Sequence, residues 1–258
     1  MPVAANLYYF FNPSENRSKP PVLLIHGAGG NHLFWPPEVR RLVGYRVYAL
    51  DLPGHGKSDG IGQQSIPDYT KSILAFMDAV GISRALMVGH SMGGAIALDM
   101  ALNHAGRVAG LCLVASGARL RVAPVFLENA GNATTSPQII QAIKDFAYSP
   151  QTDMRVKDLA ASRMVETRPA VLRGDFLACD TFDVRERLGE IGVPTLILVG
   201  SDDQMTPLAF STYMAGKIPG AQMQRIENAG HMLMLEKPRE VAHALSGFVE
   251  QLMFQPGL

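Results

Sequence analysis

Ala85-Leu86-Met87-Val88-Gly89-His90, followed at once by Ser91-Met92-Gly93-Gly94-Ala95-Ile96, decides how the rest of the chain is read. The first six residues form a short apolar run with the length of a buried strand. The residues from Met92 onward have the composition of a tightly packed helix. Ser91 falls on the turn between them, with Gly89 two positions before it and Gly93 two positions after. G-x-S-x-G alone recurs by chance, but a strand on one side and a helix on the other is the context in which it places a serine hydroxyl at the end of a sheet. The glycines leave room for neighbouring backbone around a residue held in an unfavourable conformation, and Gly94 and Ala95 let the helix pack close.

Working outward, further short runs read as strands: 21–26, 45–50, 111–115, 195–200 and 222–227, with an extra strand at 7–11. Runs of five or six residues alternating with helical patterns are what a parallel sheet covered on both faces requires. Helices are predicted at 36–43, 66–80, 92–105, 207–217 and 238–253, with Pro67, Pro207 and Pro238 near their first turns. The fold class is therefore α/β, a doubly wound, mostly parallel sheet. The alternation breaks between 119 and 188, where four short helices are predicted at 121–130, 137–147, 154–166 and 169–180. A helical excursion after which the strand pattern resumes looks like a lid. The expected organisation is a core domain of 1–118 and 189–258 with a cap at 119–188.

Composition narrows the function. Twenty-three Lys and Arg balance 23 Asp and Glu without a run of like charge, which argues against nucleic acid and anionic membrane surfaces as partners. No apolar stretch approaches the roughly 20 residues of a membrane span. Residues 1–11 lack the charged start and apolar core of a secretion signal, so a cytoplasmic location is expected. Cys112 and Cys179 belong to no metal or redox spacing and read as buried, reduced thiols. No metal, Walker or dinucleotide-binding motif is present, so no cofactor is expected and the partner is a small molecule. Nothing in the sequence sets an oligomeric state.

On the Gly89–Gly93 motif the chain resembles the α/β-hydrolase family, and the resemblance runs through nearly its whole length. His26-Gly27-Ala28-Gly29-Gly30 is similar to the family's oxyanion loop, and Asp51-Leu52-Pro53-Gly54-His55-Gly56-Lys57-Ser58 to its loop after the next strand. The resemblance implies an oxyanion hole formed by the backbone N–H groups of Ala28 and Met92, with such donors worth roughly 3–4 kcal/mol each in the transition state. His26 and His55 read as holding these loops, and His90 as shaping the pocket wall. Ser91 is the nucleophile implied; dehalogenases and epoxide hydrolases of this fold carry Asp there.

A serine hydroxyl needs a base from elsewhere in the chain. Of the seven histidines, His231 is favoured, because it follows the last strand on a loop at the carboxyl edge of the sheet, where open α/β folds bind ligands. A carboxylate to orient it is offered twice, by Asp202 and Asp203. The family pattern selects Asp203 and leaves Asp202 as a solvated turn residue or a helper. Phe34 and Trp35, Phe126, Met164 and Phe176 in the excursion, and Met232 are candidates for the substrate pocket; Met92, Met205 and Met234 also lie near the site loops. The resemblance is nearest to small carboxylesterases and enol-lactonases, which implies a serine hydrolase acting on a small carboxylic ester, thioester or lactone. Carbon–carbon bond hydrolases, perhydrolases and weakly active ligand receptors share the same machinery.

Overall fold

In a computed structural model that describes residues 2–253, eight strands form one sheet in the order β1-β2-β4-β3-β5-β6-β7-β8. The strands are β1 (Val3–Ala4), β2 (Leu7–Asn12), β3 (Val22–Ile25), β4 (Val47–Leu50), β5 (Ala85–His90), β6 (Val108–Val114), β7 (Thr195–Gly200) and β8 (Gln222–Ile226). β1 pairs antiparallel with β2 and β2 with β4, whereas the pairings from β4 through to β8 are parallel.

Ten α-helices accompany the sheet among the described residues: α1 (Pro37–Arg40), α2 (Ile66–Ala79), α3 (Met92–Asn103), α4 (Pro124–Asn129), α5 (Ser136–Phe146), α6 (Met154–Val165), α7 (Pro169–Asp180), α8 (Leu208–Lys217), α9 (Leu233–Glu236) and α10 (Pro238–Met253). The period of two along the central strands distributes their side chains between two hydrophobic layers. Val22, Leu24, Leu86, Val88, Cys112 and Val114 join the layer of α1 and α10. Leu23, Ile25, Met87, Leu111 and Leu113 join that of α2 and α3. Each such side chain taken wholly out of water contributes about 1.5–3 kcal/mol, so the two layers fix the register of the sheet.

The predicted elements are present, with differences that have physical causes. β6 begins at Val108 rather than 111, because Gly110 lies where a Cβ would meet Leu252 and Leu86 at 2.8 and 3.1 Å, so the run continues through the glycine. β8 is the edge of the sheet, and Gln222, Met223, Gln224 and Arg225 are exposed, not a buried run; polar edge residues discourage pairing with other chains. The helix expected over 36–43 is only Pro37–Arg40. The short β1 and α9 carried no periodic signal.

Between β6 and β7 no strand joins the sheet, and α4 to α7 occupy the interval. α4 starts at Pro124 rather than 121 because the proline takes the first helical position. The residues before it are extended, with a bridge between Arg119 and Asp183 and a 3.2 Å hydrogen bond from Val122 N–H to Asp180 Oδ1 where the chain leaves and rejoins the sheet. No helix among the described residues is long and apolar enough to cross a membrane.

Candidate active site

Ser91 has φ +51° and ψ −116°, a left-handed conformation that a side chain adopts only under constraint. The constraint is visible atom by atom. Its N–H donates to Val114 O at 3.0 Å, and its carbonyl accepts from Gly94 N at 2.9 Å and Ser116 Oγ at 2.8 Å. A Cβ on Gly89 would come within 2.1 Å of Gly93 O, and one on Gly93 within 2.2 Å of Ile25 O, so the turn closes only with glycine at both positions. Ser91 is the residue just before α3, and Met92 is the first residue of that helix, so the Met92 N–H is among those with no acceptor inside the helix.

His231 follows β8 on a loop tied to residues 147–152. Gly230 N–H donates to Glu236 Oε1 at 2.9 Å, Ser149 N–H to Glu236 Oε2 at 2.9 Å, and Met232 N–H to Ala147 O at 3.2 Å. The imidazole is almost wholly buried, and its Nδ1–H donates to Asp203 Oδ2 at 3.1 Å. Asp203 receives three further hydrogen bonds: Oδ1 from the N–H groups of Met205 and Thr206, both at 2.9 Å, and Oδ2 from Thr206 Oγ1 at 2.7 Å. Burial works to raise the Asp203 carboxyl. The adjacent His231 and the hydrogen bonds from His231 and Thr206 outweigh it and hold the group below the usual carboxylate range. Asp202 is turned to a different partner, accepting from Ser149 Oγ at 2.6 Å and from Ser201 Oγ at 3.0 Å.

The three other histidines singled out from the sequence have structural partners. His26 accepts from Leu52 N–H through Nε2 at 3.0 Å and donates from Nδ1 to Gly27 O at 2.8 Å, linking the 26–30 loop to the loop after β4. Burial first, and then the nearby His55, lower its pKa to about 4, so the ring is neutral. His90 donates from Nε2 to the His231 carbonyl at 3.0 Å, with the two rings 4.8 Å apart. Burial and then His231 lower its pKa to about 3. Burial also acts against charge on His55, but Asp175, 2.8 Å from its Nε2, prevails and raises its pKa.

Ser91 and His231 line one cavity of about 470 Å³, together with Ala28, Phe34, His90, Thr206 and Met232 from the sheet side and Phe126, Met164 and Phe176 from α4, α6 and α7. Phe126 and Phe176 stack with centroids 6.0 Å apart. Ala28 N–H has no hydrogen-bond acceptor among the described residues. Among the same residues no hydrogen bond joins Ser91 Oγ to His231, and the two share the cavity.

Trp35 is corrected. After the single 3-10 turn His32–Phe34 the chain is extended at Trp35 (φ −93°, ψ 110°), and its indole is wholly buried in the core, outside the cavity lining. Met92 and Met234 are likewise core side chains, while Met205 does reach the cavity. Both cysteines are free and buried, and Cys179 also borders the cavity. Arg121 is the cation of the lining, mostly exposed and 3.8 Å from Asp180. Among the described residues, no three His, Cys, Asp or Glu side chains gather as a metal site. Sequence reasoning missed Thr206 and Asp175. Thr206 had a local signal, the Asp-x-x-Thr spacing just before Pro207; Asp175, on α7 two residues after Arg173, had none.

This fold and this site define a class. The chain belongs to the alpha/beta hydrolase family, whose model, described as the alpha/beta hydrolase fold, matches residues 20–238. Within that family it is an esterase- and enol-lactonase-like member and an enzyme of the hydrolase class. It is 29% identical to 3-oxoadipate enol-lactonase 1 of Acinetobacter baylyi over 254 residues, covering 93% of this chain and 92% of that one. It is 30% identical to 2-hydroxy-6-oxo-6-phenylhexa-2,4-dienoate hydrolase of Comamonas testosteroni over 250 residues, covering 89% and 87%. Among solved structures, the enol-lactonase from Burkholderia xenovorans LB400 superimposes with a TM-score of 0.88 at 25% identity, covering 95% of this chain and 96% of that one.

Proposed function

We propose that the protein is a serine hydrolase that cleaves a small carboxylic ester, thioester or lactone through an acyl-enzyme on Ser91. The observation that carries this reading is the strained Ser91 in a cavity shared with His231, whose Nδ1–H is held by the buried Asp203. That hydrogen bond selects the imidazole tautomer with a free lone pair on Nε2, the form able to accept a proton.

Ser91 Oγ attacks the carbonyl carbon as its proton passes to His231 Nε2, and the carbonyl oxygen becomes an oxyanion facing the N–H groups of Ala28 and Met92. Collapse of this intermediate breaks the bond to the leaving oxygen or sulfur, which takes the proton from His231. Water then attacks the acyl-enzyme, giving its proton to His231 and releasing the acid and Ser91. No cofactor enters the cycle. The Ser91 hydroxyl and His231 Nε2, not hydrogen-bonded to each other in this structure, form their hydrogen bond when substrate occupies the site, as catalytic pairs in unliganded sites commonly do.

Residues 119–188 act in this reading as a cap domain over a core of 1–118 and 189–258, and the balance of 23 basic and 23 acidic side chains suits a small-molecule substrate in the cytoplasm. The mostly apolar wall of Phe126, Met164, Phe176 and Met232 suits an acyl or alkyl chain. The test is a panel of ester, thioester and lactone substrates with wild type and Ser91→Ala. Turnover that vanishes in Ser91→Ala supports the hydrolase. Serine labelling by a fluorophosphonate without turnover of any panel member would favour a ligand receptor instead.

A further inference from the structure

The peptide groups on either side of Gly29 are held from the cap. Gly29 N–H donates to Asp175 Oδ2 on α7 at 2.8 Å, and Gly29 C=O accepts from Thr167 Oγ1, between α6 and α7, at 3.0 Å. Gly29 lies at φ +65° with the cap packed on its α carbon, where a Cβ would meet Leu172 Cδ1 at 2.9 Å and Met164 Cγ at 3.1 Å. Among the described residues no other side chain bonds to the Gly29 N–H or C=O.

Asp175 is the centre of a wider knot. Its carboxylate, fully buried, also accepts from His55 Nε2 at 2.8 Å and from the Tyr69 hydroxyl at 2.5 Å. His55 Nδ1 lies 3.0 Å from Pro53 O, and although burial opposes charge on the ring, the adjacent Asp175 raises its pKa and so favours the charged ring as partner to a buried carboxylate. One acid on the cap therefore ties together three parts of the core: the 27–30 loop, the loop after β4, and α2.

Resting on the serine-hydrolase reading, we infer that Asp175 and Thr167 are positioning residues that set the oxyanion hole from the cap. Fixing Gly29 N–H fixes the rotation about the Cα–C bond of Ala28, the residue whose own N–H faces the oxyanion. Donors stabilise a transition state to the extent that they need no reorganisation when charge develops, and small misplacements are costly. The cap thus contributes to rate as well as to the shape of the pocket. Loss of either bond acts on the chemical step while ground-state binding in the apolar cavity remains.

The experiment follows Ser91 phosphonylation by a fluorophosphonate, which places a phosphoryl oxygen where the oxyanion would sit, together with kcat and KM for p-nitrophenyl butyrate. Thr167→Val removes one neutral hydrogen bond at constant shape and is expected to slow labelling and lower kcat by about 5–10-fold. Asp175→Asn is expected to lower both by about 100-fold or more. In both variants every chain should still label to completion, KM should stay within about twofold, and Thr167→Ser should restore wild-type rates. A purely structural role would instead reduce the fraction of chains that label while leaving the rate of the rest unchanged, and that result overturns the inference. Wild-type rates in Thr167→Val overturn it as well, and the Val and Ser pair decides the matter if Asp175→Asn does not fold. Ser91→Ala separates the two levels: labelling that survives there would overturn the serine reading itself, whereas its loss beside unaffected Thr167→Val would sink only the role of the cap.

Discussion

His231 Nδ1 lies 3.1 Å from Asp203 Oδ2, while the neighbouring carboxylate of Asp202 is engaged 2.6 Å from the Ser149 hydroxyl. Two consecutive acids at the end of β7 thus have separate tasks. Asp203 accepts from the imidazole and from both Thr206 donors inside the core; Asp202 joins the turn to the segment after α5.

Asp203→Asn is expected to lower kcat/KM by about 10⁴-fold, since the amide presents a donor to Nδ1 and favours the wrong tautomer. Asp202→Asn keeps an acceptor for Ser149 and should remain within a few-fold of wild type. Steady-state kinetics on the two variants side by side checks this; a larger loss in Asp202→Asn would reverse the assignment.

Ser91→Ala and His231→Ala are each expected to remove most turnover with the fold retained, and the double variant should be little worse than either single one. Losses that multiplied would show that the two residues do not share a step. Circular dichroism and thermal unfolding of the same samples separate chemistry from folding.

Acid should weaken the fold through His26 and His90, whose pKa values burial lowers to about 4 and about 3. Both rings lie below the ordinary value of ~6.5 in the folded chain, so the unfolded chain binds more protons between these limits. Their stabilisation is therefore complete above pH ~6.5 and is lost as the pH falls toward 4 and 3, on the order of 2 kcal/mol for each ring by pH 5. Urea unfolding from pH 7.5 to 5 should show this slope. His90→Gln, which keeps a donor for the His231 carbonyl but does not titrate, should flatten it; an unchanged slope would exclude His90 as a source.

Substrate range is expected to follow the helices between β6 and β7. Phe126→Ala, Met164→Ala and Phe176→Ala should each shift preference among acetyl, butyryl and octanoyl esters toward the longer chains by about 1–3 kcal/mol in kcat/KM ratio. Trp35→Phe, in the core and outside the lining, should cost stability and leave chain-length preference alone. Unchanged preference in all three cavity variants would remove these helices from substrate selection.

Local and directional signals were the legible ones. The apolar runs at β3, β5 and β7 and the proline-marked helix starts announced the doubly wound sheet, because a fully buried parallel strand and a helix first turn each leave a mark within a few residues. Ser91 was legible for the same reason, its turn being written in Gly89 and Gly93. Trp35 misled because adjacent aromatic residues differ in fate when a 3-10 turn ends between them, and nothing in Phe34-Trp35 marks that end. Asp175 was invisible: its partners Gly29, His55 and Tyr69 lie 146, 120 and 106 positions away, and only tertiary packing brings four such segments together. The edge position of β8 is likewise a property of the sheet order and not of Gln222–Ile226 itself.

The most direct test of the central claim is to quench the enzyme during turnover of p-nitrophenyl butyrate and map the acylated residue by peptide mass spectrometry. One butyryl group on Ser91 is expected, accumulating in a burst, lost on further incubation, and missing from Ser91→Ala. Sustained turnover with no acyl group on Ser91, or with the group on another side chain, would contradict a serine acyl-enzyme.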